Sequence, residues 1–335
     1  MGACVKCAPT VDFMTDAENC GACGRSCEGS TCTAGRCDPV RVAAVDNPYA
    51  MGSGPGCVYY STATQVFCLP PVDGGVPSVV FTPNAITMDM APSSGGVFLA
   101  HTNGVTFVAG DAAVTLDGYK AQYGIVSDGV GTAWWTAQMT PELQTATLDA
   151  GSPTNLYTGA PGASGIARGQ GALFWVNGTA GVVRTVPLDG GTPQIVASLT
   201  VTRPFSASYR AIVVGTHLVW SEPSSADAQS DGRLARLSLS GDGGAAVALA
   251  TGLANPQMLA TDGTYVYFTN AGTAPGFLNG SVQRIKADGS EAQPTTLWQG
   301  PLPYGIAVVG THVYFARCAP ASAMGGIYRI PVAGL

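Results

Sequence analysis

Ten cysteines carry the clearest chemical potential in this 335-residue chain. Seven lie within the first 37 residues: Cys4, Cys7, Cys20, Cys23, Cys27, Cys32 and Cys37. Two Cys-x-x-Cys pairs, Cys4/Cys7 and Cys20/Cys23, have the spacing of a zinc-ribbon half-site. The segment contains no histidine, and the spacing after Cys23 is irregular. A disulfide framework therefore fits better than a metal, because so few large apolar residues cannot hold a short segment together by burial. No cofactor and no metal is expected. Disulfides imply an oxidising compartment and so a secreted or cell-surface protein. Gly-Ala-Cys at residues 2–4 has the form of a lipobox remnant, which makes Cys4 a candidate lipid anchor. Cys57 and Cys68 flank a turn expected between Thr62 and Ala63, which would set them opposite each other and within bridging reach. Seven N-terminal cysteines are odd in number, so Cys318 is expected to bridge to one of them.

Other reactive residue types do not assemble into a recognisable set. His217 and His312 occupy the same position in "GTHLVWSE" and "GTHVYFAR" and are repeat echoes. The third histidine, His101, has no local Ser or Asp arrangement of the kind a catalytic triad needs. No glycine-rich phosphate loop follows a strand. The net charge is −6 with no Lys/Arg cluster, which argues against nucleic acid and anionic lipid as partners. No apolar stretch is long enough for a transmembrane helix. These features point to a protein that is not an enzyme.

The elements that must position these residues are strands. Charged residues make up only 11% of the chain, whereas Gly (45) and Pro (23) are abundant, which suits tight turns and disfavours long helices. Aromatic strands recur: "GALFWVN" at 171–177, "GTHLVWSE" at 215–222, "GTYVYFTN" at 263–270 and "GTHVYFAR" at 310–317. Weaker copies lie at 56–62, 96–102 and 132–137. The aligned residues Tyr60, Leu99, Trp135, Trp175, Trp220, Phe268 and Phe315 are spaced by 36 to 48 residues, the period of propeller blades. A small apolar strand precedes each copy. A strand ending in an Asp-Gly-type hairpin follows, then a last strand. The seventh unit lacks its fourth strand, and residues 39–48 read like one. The chain is thus expected to be an all-β, seven-bladed propeller over residues 39–335, with a disulfide-rich module over 1–38. Its N-terminal strand would close the last blade and remove two open sheet edges.

The pattern "IAVVGTHVYFA…GGIYRIPVAG" resembles bacterial propellers of the YWTD/NHL-like kind, a resemblance that implies the fold but does not point to any particular activity. "TDAENCGACGRSCEGSTCTAGRC" (15–37) resembles the module of Stig1-like secreted proteins, whose core is Asn-Cys-Gly-x-Cys-Gly-x-x-Cys. The usual double cysteine near its end is a single Cys32 here, so the family's pairing does not carry over whole. The two modules together resemble secreted proteins of myxobacteria.

In such a ring, the loops between second and third strands share a face with the linkers that enter each blade. The linkers supply Tyr49, Tyr123, Tyr209, Tyr304 and Arg203, and the strand ends and loops supply His101, Glu222, Asn270 and Arg317. These nine residues are the candidate ligand site, with the tyrosines stacking on sugars or gripping a peptide. The expected function is binding of a protein or glycan ligand. The alternatives are a structural subunit that self-assembles into a filament or layer through the Cys-rich module, and an extracellular hydrolase or lyase.

Overall fold

The computed structural model describes residues 10–83, 85–110, 112–118, 122–137, 143–150, 152–159, 162–203, 209–241 and 244–332. Cys4 and Cys7, and with them the expected anchor, lie outside these residues. The described chain forms seven four-stranded antiparallel sheets, blades 1 to 7 in chain order with first strands Met51–Gly54, Thr87–Ser93, Gln122–Ser127, Ala163–Gly169, Ala211–Val214, Pro256–Thr261 and Pro303–Val309, each in consecutive order except the last. In that sheet the strands Pro303–Val309, His312–Arg317 and Gly326–Pro331 are joined by Val40–Ala44 from the other end of the propeller. Val40 lies opposite Arg329 and Ala44 opposite Gly326. The expected ring closure is therefore present.

The repeat's aromatic residues explain why sheets of this kind form a ring. The second strands bury both faces: His217–Glu222 and Tyr265–Asn270 are buried at every position after the first. A strand buried on both sides needs a sheet packed against each face, which neighbouring blades provide. Trp135, Trp175 and Trp220 are each fully buried between blades. Outer strands such as Ser78–Phe81 and Gln194–Ser198 have solvent-facing positions. The inner strands converge so tightly that side chains do not fit everywhere. A Cβ on Gly165 would lie 2.7 Å from the Arg210 Cα, and one on Gly305 would lie 2.2 Å from the Tyr49 carbonyl oxygen.

The cysteine expectations hold in part. Cys20–Cys32 and Cys27–Cys37 are disulfides, Cys23 is disulfide-bonded as well, and Cys57–Cys68 bridges blade 1. The register around that last bridge differs from expectation. Tyr59, and not Cys57, lies opposite Cys68. The Thr62 hydroxyl accepts the amides of Thr64 and Gln65, which moves the turn's apex one residue along. Cys318 is free, contrary to the expected bridge. The module docks at the opposite end of the same strand, where Glu28 sits 2.7 Å from His312. The six-residue strand His312–Arg317 separates the two points by roughly 17 Å, far beyond disulfide reach. Among the described residues no helix is long and apolar enough to cross a membrane.

Candidate functional site

The loop-rich face contains a cavity of about 670 Å³. Its walls come from the linkers into blades 1, 2, 5, 6 and 7 and from the second-to-third-strand loops of blades 5, 6 and 7. Tyr49, Tyr304 and Arg203 from the expected set line it. The two tyrosines meet edge to face, with ring centroids 6.2 Å apart and planes at 87°. Arg203 pairs with Asp227 at 2.6 Å on the rim. Both are partly exposed, so the pair orients the groups more than it stabilises the fold.

The loops are stitched to the linkers by backbone hydrogen bonds. Leu302 donates to the Phe277 carbonyl, Cys318 donates to the Leu302 carbonyl, and Ala271 donates to the Asn255 carbonyl. Asn255, Phe277 and Leu302 all line the cavity, and all adopt left-handed φ values of 57°, 50° and 55°. Such values are costly for residues as bulky as Phe and Leu, and strain of this kind clusters at ligand sites. Two buried polar atoms on the walls, Asn255 Oδ1 and Thr87 Oγ1, have no hydrogen-bond partner among the described residues. Burial pushes the Cys318 thiol pKa up, which makes it a weak nucleophile in this wall. Burial raises the Tyr304 hydroxyl pKa, with the Arg210 guanidinium opposing the shift.

Below this cavity the axial channel, about 500 Å³, is lined by the inner strands of all seven blades. Arg210 and Asp89 stand in it. Asp89 accepts the amides of Met90 and Ile125 at 3.0 and 3.1 Å, and burial raises its pKa against the opposing Arg210 charge. Arg210 donates to the carbonyls of Tyr209 and Met88. Neither residue was expected in the site from sequence.

The remaining expected residues are placed elsewhere. His101, Glu222 and Asn270 are buried and turned into their blades. They share one repeat position with Arg317, two residues after the aligned core residue, and there they fasten strands or linkers. His101 contacts Thr106 Oγ1 at 2.9 Å, and Asn270 donates to Ser281 and Gln283. Glu222 is fully buried and accepts four donors, among them Arg233 at 2.8 Å. Tyr209 is fully buried, its hydroxyl accepting the Arg203 amide at 2.6 Å, so it supports the site from behind. Tyr123 and Arg317 are half-buried and do not line the cavity.

His101 carries a pH signature. Its Nδ1 accepts the Asn103 amide, which places the proton on Nε2 facing Thr106. Burial lowers its pKa below the ordinary 6.5. The unfolded chain then binds the proton more readily than the folded one, so His101's contribution is complete above about pH 6.5 and falls as pH drops through and below it. Urea midpoints measured from pH 8 to 5 are expected to fall more for the parent than for His101→Gln. Parallel slopes would remove the role.

No family model matches the chain, and no curated protein matches it. Solved structures do. Virginiamycin B lyase from Staphylococcus aureus superposes with a TM-score of 0.63 at 18% identity, over 88% of this chain and 98% of that one. Hydrazine synthase from Kuenenia stuttgartiensis matches at 0.62 and 13% identity, over 88% and 99%. At these identities the likeness establishes the propeller fold alone. It also overturns the expectation that the protein is not an enzyme. That expectation rested on the lack of a recognisable catalytic set in the sequence, and the same architecture is that of a lyase, including a catalytically inactive histidine-to-alanine variant solved with quinupristin.

Proposed function

We propose that the protein is a secreted recognition propeller that takes a glycan in the cavity of its loop-rich face. The observation that carries the reading is the convergence of Tyr49 and Tyr304 with planar polar groups on Arg203, Asp227 and Asn255 around one cavity. Sugars present apolar faces that stack on aromatic rings and hydroxyl pairs that match planar amide, carboxylate and guanidinium groups. A protein ligand would call for a contiguous patch with an exposed aromatic- or Met-rich centre. The large exposed apolar side chains, such as Val72, Val130 and Ile195, are scattered over several blades. Disulfides in the N-terminal segment support export, because such bonds persist in oxidising compartments. The same cysteines support a Stig1-like module, and the blades a YWTD/NHL-like ring of the kind found in secreted myxobacterial proteins.

A glycan array followed by calorimetry tests this. Tyr304→Ala and Tyr49→Ala are each expected to weaken binding about tenfold or more, the equivalent of one lost stacking face. Binding unchanged in both variants would move the site elsewhere. No binding across the array would refute the ligand class.

A further inference from the structure

A second cluster lies where the Cys-rich module meets blade 6, away from the loop-rich face. Arg25 of the module and Arg284 of the blade are only 8% and 6% exposed. The Nε of each lacks a hydrogen-bond partner, and neither guanidinium has a carboxylate partner among the described residues. Their proximity follows from the connections around them. The Cys27–Cys37 disulfide ties the Arg25 turn to Arg36–Cys37, which packs against the strand Thr295–Gln299. Arg284 lies opposite Thr295 in that same sheet. Burial and the charge of Arg284 together lower the Arg25 pKa.

Four carboxylates of the module and of blade 6 have other partners. Glu28 faces His312, Asp262 accepts the Tyr267 hydroxyl and two backbone amides, Glu291 accepts the Lys286 amide, and Asp288 accepts the Ser290 amide. Arg284 lies 4.1 Å over the Tyr265 ring and bonds the neighbouring Tyr267 hydroxyl, and a second cation, Lys286, lies 6.0 Å from the Tyr265 ring, so neutral groups and another cation surround it. Guanidinium does not deprotonate in proteins, and burying it without an anion is expensive. The planar fork of Arg matches oxyanions in bidentate fashion.

We propose that Arg25 and Arg284 form a binding site for a tetrahedral oxyanion, sulfate or phosphate, which clamps the disulfide module onto blade 6. The slight exposure of both residues favours a free inorganic ion over the ester group of a polymer. The test uses the full chain at constant ionic strength, with inorganic phosphate or sulfate replacing chloride. The unfolding temperature is expected to rise and saturate as the anion binds the folded state. Arg25→Met and Arg284→Met should each weaken the apparent affinity at least about tenfold. General salting-out rises without saturation and equally in all variants, and that result would overturn the site. Calorimetric titration of the parent with phosphate stands independently of how the variants fold, and absence of binding up to about 20 mM would also overturn it. Binding of dextran sulfate without binding of inorganic sulfate would refute the buried free ion.

Discussion

Replacing Glu222 by alanine is expected to lower stability by about 3–5 kcal/mol, the cost of breaking a buried charge pair from one side. The residue is fully buried, and its two oxygens are divided between two tasks. Oε1 accepts the Trp220 indole at 3.0 Å and the Arg233 guanidinium at 2.8 Å. Oε2 accepts the amides of Thr200 and Val201 at 2.9 and 2.7 Å, in the linker that enters blade 5. Removing the carboxylate leaves an indole, two amides and most of a guanidinium without partners, each with a desolvation cost. Glu222→Gln should rescue little, because the amide nitrogen must face one of the two donor pairs. Arg233→Met should be milder, since Arg233 is partly accessible and Glu222 keeps three donors. Urea unfolding separates these cases through the midpoint at unchanged m-value. A loss under about 1 kcal/mol for Glu222→Ala would show that water replaces the network.

Glu222 shows where sequence reasoning stops. The repeat was legible because propeller blades bury both faces and so repeat their aromatic residues. The ring closure was legible because one unit lacked a strand that the N-terminus could supply. The same logic holds for the residues that end the second strands. His101, Glu222, Asn270 and Arg317 share one repeat position, as His217 and His312 share another. Recurrence at a fixed place in the blade marks a structural task, and three of the four turn inward to fasten a strand or linker. The direction in which a strand-end side chain points depends on the twist and on the next linker, and neither is written in the strand itself.

The cavity was legible only at its tyrosines and Arg203. Asn255, Phe277 and Leu302 reach it through left-handed backbone that their residue types disfavour, so no turn rule locates them. Asp89 lies in an inner strand and Arg210 just before one, both in segments that read as ordinary apolar runs, and their role arises only when seven such strands surround an axis. For Cys318 the count of cysteines misled, because parity says nothing about which end of a strand a residue occupies.

Truncation before Val45 is expected to be the most disruptive change to the ring. Without Val40–Ala44, the strand Gly326–Pro331 becomes an open edge, and its unpaired amides and carbonyls invite pairing with other chains. Arg41 leaves with the strand, and its Nη2 bonds the carbonyls of Ala321 and Gly325 across the closure. The loss should be on the order of 5 kcal/mol, comparable with the whole stability of many domains, with concentration-dependent aggregation. The truncation also removes the Cys-rich module, so a second variant must isolate the closure. Gly326→Ala does so: its Cβ would sit 2.2 Å from the Ala43 carbonyl oxygen, which forces the closing strand away while every disulfide stays in place. Overpacking of this kind costs about 1–3 kcal/mol. A synthetic peptide spanning residues 39–48 should restore the truncated chain by strand addition, in a dose-dependent way. If the truncated chain instead unfolds at the parent's urea midpoint and stays monomeric without the peptide, blade 7 is held by its neighbours and the closing strand is dispensable.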